Sequence, residues 1–117
     1  MRTLRKLLFV LLPLVLSTAA SANAEIDLAL VLAVDVSASM SPHEQELQRE
    51  GFVDAFNSEQ VHQAATGRIA VTYVEWASAD QQRVVVPWTT IGLPTDARVF
   101  AHSLRNAPWE NGKRTSI

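Results

Sequence analysis

The chain has 117 residues, with 10 Lys and Arg, 12 Asp and Glu, a formal net charge of −2 and no cysteine. A slightly acidic chain with no basic stretch longer than two residues is a poor candidate for binding nucleic acid or an anionic membrane surface. Without cysteine no disulfide can form, so the stability of the fold has to come from an apolar core.

The first 24 residues have the pattern of a secretory signal peptide. A basic start (Arg2, Arg5 and Lys6) precedes the apolar run 7–16, and Ala24 closes the small-x-small pattern read by signal peptidase. Ten apolar residues are fewer than the ~20 that span a bilayer as a helix, so a retained anchor is the less favoured alternative. Cleavage after Ala24 removes three basic residues and leaves 93 residues with a net charge of −5. We expect this mature chain to reach the periplasm or the extracellular space, without a stable membrane anchor.

The mature chain begins with a predicted strand and helix. Residues 26–34 are almost continuously apolar, which is typical of a strand covered on both faces in a parallel sheet. A polar loop follows, and Ser41-Pro42-His43-Glu44 is a capping box with proline at the first helical position. The helix that it starts is predicted to present an apolar stripe, which consists of Leu47, Gly51, Phe52, Ala55 and Phe56.

A hairpin and a second helix are predicted next. Alternating residues predict a strand over 69–77, and a short turn joins it to another over 82–88, so the pair should be antiparallel. Pro87 lacks an amide donor, which places the last strand at the sheet border. Thr95 is predicted to cap the second helix, whose apolar face is Ala97, Phe100, Ala101 and Leu104.

The order strand, helix, strand, strand, helix predicts an α/β fold. A first strand buried on both faces needs helices on both sides of the sheet, and only two helices are predicted. We therefore expect residues 25–117 to be the N-terminal part of a larger, truncated domain.

Three oxygen-bearing side chains follow the first strand. Asp35, Ser37 and Ser39 lie at its carboxyl end, where ligands bind in open α/β sheets. A carboxylate and alternating hydroxyls suit a hard cation such as Mg²⁺, and the neutral hydroxyls leave charge for a partner's acidic group to complete the shell. The alternative is an ordinary turn, since Asp and Ser are frequent there, but Ser41 already caps the helix.

The stretch D-V-S-A-S-M after L-V-L-A-V resembles the first motif of the von Willebrand factor type A domain, whose metal-ion-dependent adhesion site begins with D-x-S-x-S. The resemblance implies a Rossmann-like three-layer fold, of which this chain is the N-terminal half. It also implies that Asp35, Ser37, Ser39 and Thr115, the last in G-K-R-T-S-I, ligate Mg²⁺ (or Mn²⁺ or Ca²⁺) directly or through water. A further aspartate of that pattern would lie beyond Ile117, so we expect weak affinity.

A closer resemblance covers nearly the whole mature chain. D-L-A-L-V-L-A-V-D-V-S-A-S-M, G-R-I-A-V-T-Y-V-E-W-A, V-V-V-P-W-T and R-T-S-I occur in the order of domain of unknown function 1194, a family of exported bacterial proteins. This resemblance implies the fold and the location but no biochemical role.

We expect a protein-binding module and not an enzyme. The alternatives are a metal-assisted hydrolase and a nonfunctional truncated fragment. A hydrolase would need a general base, and Glu75 is expected to be a paired or solvated group instead. Surface or capping roles are expected for the three histidines, His43, His62 and His102.

Overall fold

The computed structural model describes residues 25–109, so the predicted signal peptide and Thr115 lie outside the described part. The observed order of elements confirms the predicted one, with one additional short helix. The elements are β1 (Leu28–Asp35), α1 (Pro42–Asn57), α2 (Glu59–Ala64), β2 (Ile69–Ser78), β3 (Gln81–Ile91) and α3 (Pro94–Asn106).

The three strands form one mixed sheet in the order β1-β2-β3. β1 and β2 are parallel, in a register that sets Leu28 opposite Ile69 and Asp35 opposite Trp76. β2 and β3 form the predicted antiparallel hairpin, and β3 is the border strand on which Pro87 is exposed. The α/β class and the hairpin are therefore confirmed.

The start of α1 forms as its capping box predicts. The Ser41 hydroxyl accepts a hydrogen bond from the Glu44 amide at 3.2 Å, and the Glu44 carboxylate accepts one from the Ser41 amide at 2.7 Å. Both otherwise unpaired amides of the first turn are thus satisfied. Ser58 then separates α1 from α2, because its hydroxyl donates to the Ala55 carbonyl and accepts from the Val61 amide.

The prediction that Thr95 caps the second helix was wrong. The N-cap is Leu93, and Pro94 takes the first position, where its fixed φ and missing amide are tolerated. The Asp96 carboxylate supplies the cap by accepting from the amides of Gly92 and Leu93 at 3.0 and 2.9 Å. The capping acceptor is therefore the Asp96 carboxylate inside the first turn, and not a side chain at the N-cap position.

The core lies between one face of the sheet and the helices α1 and α3. Phe56 and Phe100 pack with their ring centroids 4.6 Å apart, and Phe52 meets Tyr73 of β2 edge to face at 5.4 Å. The buried apolar side chains come from five elements: Val34, Val53, Phe56, Val71, Tyr73, Val86, Ile91, Ala97, Phe100, Ala101 and Leu104.

The prediction that the first strand is buried on both faces was wrong for the described residues. Leu28 and Val31 of β1 are 52% and 53% exposed, and Val34 is the buried residue of the strand. Within residues 25–109, β1 pairs only with β2, and α1 and α3 pack over β2 and β3. These residues therefore form two layers, and the predicted third layer is not among them.

Tyr73 provides a test of how well this core excludes water. Burial, and secondly the negative charge of Glu75, raise the pKa of its phenol to about 12, against an ordinary value of about 10. Because the chain has one tyrosine, tyrosinate absorbance should report a single midpoint near that raised value, falling to the ordinary one in urea. The stability that the protonated phenol contributes should be fully present below the unfolded-state pKa and be lost as pH rises through the raised folded-state pKa. A midpoint at the ordinary value under native conditions would contradict the packing around Tyr73.

Candidate metal centre at the end of strand β1

The chain makes a tight turn immediately after β1. The Val36 amide still donates to the Trp76 carbonyl at 2.9 Å, which extends the pairing with β2 by one bond. The Ser37 amide then donates to Asp35 Oδ1 at 2.7 Å. This bond folds the loop back onto the end of the strand, so Asp35 lies at the carboxyl edge of the sheet as predicted.

The two hydroxyls of the motif lie together. Ser37 Oγ and Ser39 Oγ are 3.0 Å apart, and the Met40 amide donates to the Ser37 carbonyl at 3.0 Å to close the turn. The structure therefore brings Asp35, Ser37 and Ser39 into one small loop. One carboxylate and two neutral oxygen donors form a ligand set that suits Mg²⁺, which keeps several waters in most protein sites.

The charge of Asp35 is favourable for a cation. The hydrogen bond from the Ser37 amide, followed by that from its hydroxyl, holds the pKa of the Asp35 carboxyl below its ordinary value. The group is therefore ionised at neutral pH and remains so until the solution is more acidic than an ordinary aspartate would require.

Helix α1 contacts the same loop through one side chain, that of Gln45. Gln45 Nε2 lies 3.4 Å from the Val36 carbonyl and 3.3 Å from the Met40 carbonyl, one at each end of the loop. The side-chain amide of Gln45 thus joins the two ends of the loop and restricts the conformations that the loop can take.

A buried ionic cluster lies next to this loop. Arg49 of α1 and Glu75 of β2 are 3% and 5% exposed, and Arg49 Nη2 donates to Glu75 Oε1 at 2.6 Å. Arg83 of β3 donates to the other carboxylate oxygen at 3.1 Å. In the register of the sheet Glu75 is opposite Val34, directly before Asp35.

The same two arginines hold the chain that leaves α3. Arg49 Nη1 donates to the Ala107 carbonyl at 2.8 Å, and Arg83 Nη2 donates to the Pro108 carbonyl at 3.0 Å. The guanidinium carbon of Arg49 lies 3.3 Å from the centre of the Trp109 ring, a cation–π contact. Residues 107–109 are therefore fixed at the edge of the sheet that carries the Asp35 loop.

Comparison with known families identifies the family of this chain. A profile of the family described as "Protein of unknown function (DUF1194)" matches residues 25–117. The chain belongs to this family. The predicted resemblance to DUF1194 is thus confirmed over the whole segment after the predicted cleavage site. No curated protein and no solved structure matches the chain.

The remaining candidate residues of this DUF1194 chain lie apart from the Asp35 loop or already have hydrogen-bond or ion-pair partners. Glu75 forms ion pairs with two arginines, which is the first of the two states, paired or solvated, that the sequence analysis expected for it. His43 is exposed at the start of α1, His62 contacts the Phe56 carbonyl at 2.7 Å, and His102 contacts Asn106 on α3. Thr115 lies outside the described residues.

Sequence reasoning missed Arg49 because it misplaced the inward face of α1. Leu47 was assigned to the apolar stripe but is 59% exposed, whereas Val53 is fully buried. An arginine four residues before Val53, on an otherwise apolar face, together with a lone glutamate in an apolar strand, was the available signal for a buried ion pair.

Two further observations concern metals and membranes. Residues 25–109 contain no group of three or more His, Cys, Asp or Glu side chains placed to hold a metal ion. The candidate centre of this DUF1194 chain depends on serine hydroxyls, which such a group does not include. Among the same residues, no helix has the length and apolar character needed to cross a bilayer.

The described cavities lie at the other end of the sheet. An apolar cavity of about 150 Å³ is lined by residues from α2, the start of β2, the end of β3 and the start of α3, among them Val61, Ile69, Ile91 and Ala97. Its one histidine, His62, already contacts the Phe56 carbonyl. With no convergent polar groups, this cavity lacks the features that orient a polar substrate.

Proposed function

We propose that the protein is an exported binding module that holds a divalent cation at Asp35, Ser37, Ser39 and Thr115. Through this cation it would bind an acidic group of a protein partner. The observation that carries the proposal is the convergence of one ionised carboxylate and two hydroxyls at the carboxyl end of a parallel strand. A relationship to von Willebrand factor type A domains is part of the same proposal. The parallel β1–β2 pair and the antiparallel β3 are compatible with the first half of such a fold.

The charge of the site supports a partner with a carboxylate. A divalent cation with a single carboxylate ligand keeps a positive charge, because hydroxyl and water ligands are neutral. A carboxylate from another protein can replace one of the waters and complete the neutralisation. Mg²⁺ fits this chemistry, and Mn²⁺ or Ca²⁺ accepts the same oxygen donors.

Binding is favoured over hydrolysis because of the state of Glu75. Metal-assisted hydrolysis needs a general base that can reach a bound water. Glu75 is one residue away from Asp35 across the sheet, but it is buried and engaged by Arg49 and Arg83. Both carboxylate oxygens of Glu75 accept from guanidinium groups, so neither is free to take a proton from a bound water.

Replacing Asp35 with asparagine should remove cation binding while keeping the shape of the loop. We expect Mn²⁺ and Mg²⁺ affinity of the full chain, measured by titration calorimetry, to fall more than about tenfold, a loss that even outer-shell partners of a metal cause. Removing the only carboxylate of the described ligand set removes its only negative charge.

Asp80→Asn is the matched control, because Asp80, an exposed aspartate, likewise accepts a hydrogen bond from a nearby serine, Ser78, at 2.6 Å. This variant should bind cations like the parent. A parent that binds neither cation, or an Asp35→Asn variant with the affinity of the parent, would overturn the proposal.

A further inference from the structure

Strand β1 forms one edge of the sheet among the described residues. The amides of Leu28 and Val36 donate to carbonyls in the neighbouring segment 68–76, at 3.3 and 2.9 Å. Alternate residues of a strand direct their amide and carbonyl groups to the same side, so the even-numbered residues of β1 face β2. The odd-numbered residues, with Val31 in the middle, direct theirs away from β2, and such a row is a template for pairing with another strand.

The apolar sequence of β1 reads almost the same in both directions about Val31. The residues exchanged by this reversal are Leu30 and Leu32, Ala29 and Ala33, and Leu28 and Val34. Two β1 strands that run antiparallel, with Val31 on a two-fold axis, place each residue opposite one of the same or similar size. Odd-numbered residues then lie opposite odd-numbered ones, so the outward amides of each strand meet the outward carbonyls of the other.

The side chains that this pairing covers are exposed in the single chain. Leu28, Leu30 and Val31 are large apolar residues at the surface of β1. Removing such side chains from water favours association. The stretch 28–34 contains no proline and no charged residue, which are the devices that keep many edge strands from pairing.

The acidic residues at the two ends of β1 meet in the same register. Asp27 lies opposite Asp35 of the second copy, and Glu25 lies opposite Ser37. The Asp27 carboxylate is held at the start of the strand, because its Oδ2 accepts from the Arg68 amide at 2.7 Å. Like charges directly opposite each other disfavour strand pairing. A divalent cation between the two carboxylates attracts both, so it converts this repulsion into a link.

We propose that two copies of the chain associate through antiparallel β1 strands, and that Asp27 of each copy supplies the acidic group to the cation held at Asp35 of the other. This inference rests on the function proposed above, and it names the partner as a second copy of the same chain. A two-fold pair uses the β1 edge of both copies, so the association closes at a dimer.

Val31→Lys tests the strand pairing. The two lysines lie against each other at the two-fold axis, where like charges oppose association, while residue 31 is exposed enough for the single chain to keep its fold. In sedimentation velocity with Mn²⁺, the full chain should form dimers that EDTA dissociates. Val31→Lys should weaken dimerisation more than about tenfold.

Val99→Lys is the matched control for the strand pairing. Val99 is a valine of similar exposure, 61% against 53% for Val31, but it lies on α3. This variant should form dimers like the parent. Unfolding in urea, measured for both lysine variants, checks that each single chain has kept its stability.

Asp27→Asn tests the shared cation. Asparagine keeps an acceptor for the Arg68 amide but removes the charge. Mn²⁺ affinity of the parent should rise with protein concentration, because the cation and the second copy each favour binding of the other. At concentrations that favour the dimer, we expect Asp27→Asn to bind Mn²⁺ about tenfold more weakly, whereas Asp80→Asn should match the parent.

The outcomes separate this inference from the proposed function. Mn²⁺-dependent dimers that are weakened in both Val31→Lys and Asp27→Asn support the shared site. A parent that binds Mn²⁺ but remains a monomer, or assembles beyond a dimer, overturns the inference and leaves the proposed function standing. Dimers that Val31→Lys leaves intact, or parental Mn²⁺ affinity in Asp27→Asn, also overturn it. A parent that binds no Mn²⁺ defeats the proposed function and the shared site together.

Discussion

Replacing Arg49 with alanine should lower the free energy of unfolding by about 3–5 kcal/mol, the usual result of removing one partner of a buried ion pair. Glu75 would remain buried with Arg83 as its remaining charged partner, and the Ala107 carbonyl would lose its donor. Small domains are stable by only about 5–15 kcal/mol, so much of the margin would disappear. Urea unfolding followed by circular dichroism measures the change.

Arg105→Ala provides the comparison for this prediction. Arg105 and Glu50 also join α3 to α1, but both side chains are 50% exposed, and such surface pairs contribute about 0–1 kcal/mol. Combining Arg49→Ala with Glu75→Ala should be less damaging than the sum of the two single changes, because the orphaned charge is removed with its partner. An Arg49→Ala protein as stable as Arg105→Ala would show that the cluster is not buried as described.

Replacing Phe100 with alanine should also lower the free energy of unfolding by about 3–5 kcal/mol. Phe100 is fully buried on α3 and packs against Phe56 of α1 with a centroid distance of 4.6 Å. The change removes apolar contacts and leaves a cavity between α1 and α3. The surrounding side chains of a well-packed core relax only partly into such a cavity. Thermal and urea unfolding should both move to milder conditions.

Val99→Ala, at the adjacent position, separates packing from helix propensity. Val99 is 61% exposed, and alanine is the better helix former, so this variant should unfold within about 0.5 kcal/mol of the parent. Equal effects at positions 99 and 100 would contradict the orientation of α3.

The elements that sequence predicted correctly are those encoded locally. Three such features depend on residues within a few positions of one another: the Ser41 capping box, the short turn between β2 and β3, and the position of Pro87 on the border strand. Their hydrogen bonds join residues that are close in sequence, so the local pattern is sufficient to predict them.

Features that depend on packing between distant segments could not be predicted in this way. Burial of Arg49 and Glu75 requires α1, β2, β3 and the chain after α3 to meet, and the local patterns of α1 and β2 indicate only that each carries a charged residue among apolar ones. The exposure of β1 likewise depends on which elements cover it, whereas its composition reports only that it is apolar. At α3 the sequence predicted Thr95 as the cap, but Pro94 is tolerated at the first helical position, so the helix begins one residue before Thr95.

The sequence likewise predicted the local part of the candidate site but not the contacts that distant residues make with it. Asp35, Ser37 and Ser39 meet because alternate residues after a strand lie within one short loop. Gln45, which supports that loop from α1, was not recognised, because a glutamine on a helix has many equivalent surface roles in sequence.

The strand that carries Asp35 has an outer row of amides and carbonyls with no partner strand among residues 25–109. β1 and β3 are both paired on one side, but α1 and α3 pack over β2 and β3, whereas Leu28 and Val31 of β1 are more than half exposed. We therefore expect β1 to open at the lowest free energy of the three strands. Any cation held at its end binds the closed form, and binding then adds to the stability of that form by mass action. In such an arrangement the rigidity of β1 becomes a measure of how fully the loop is occupied.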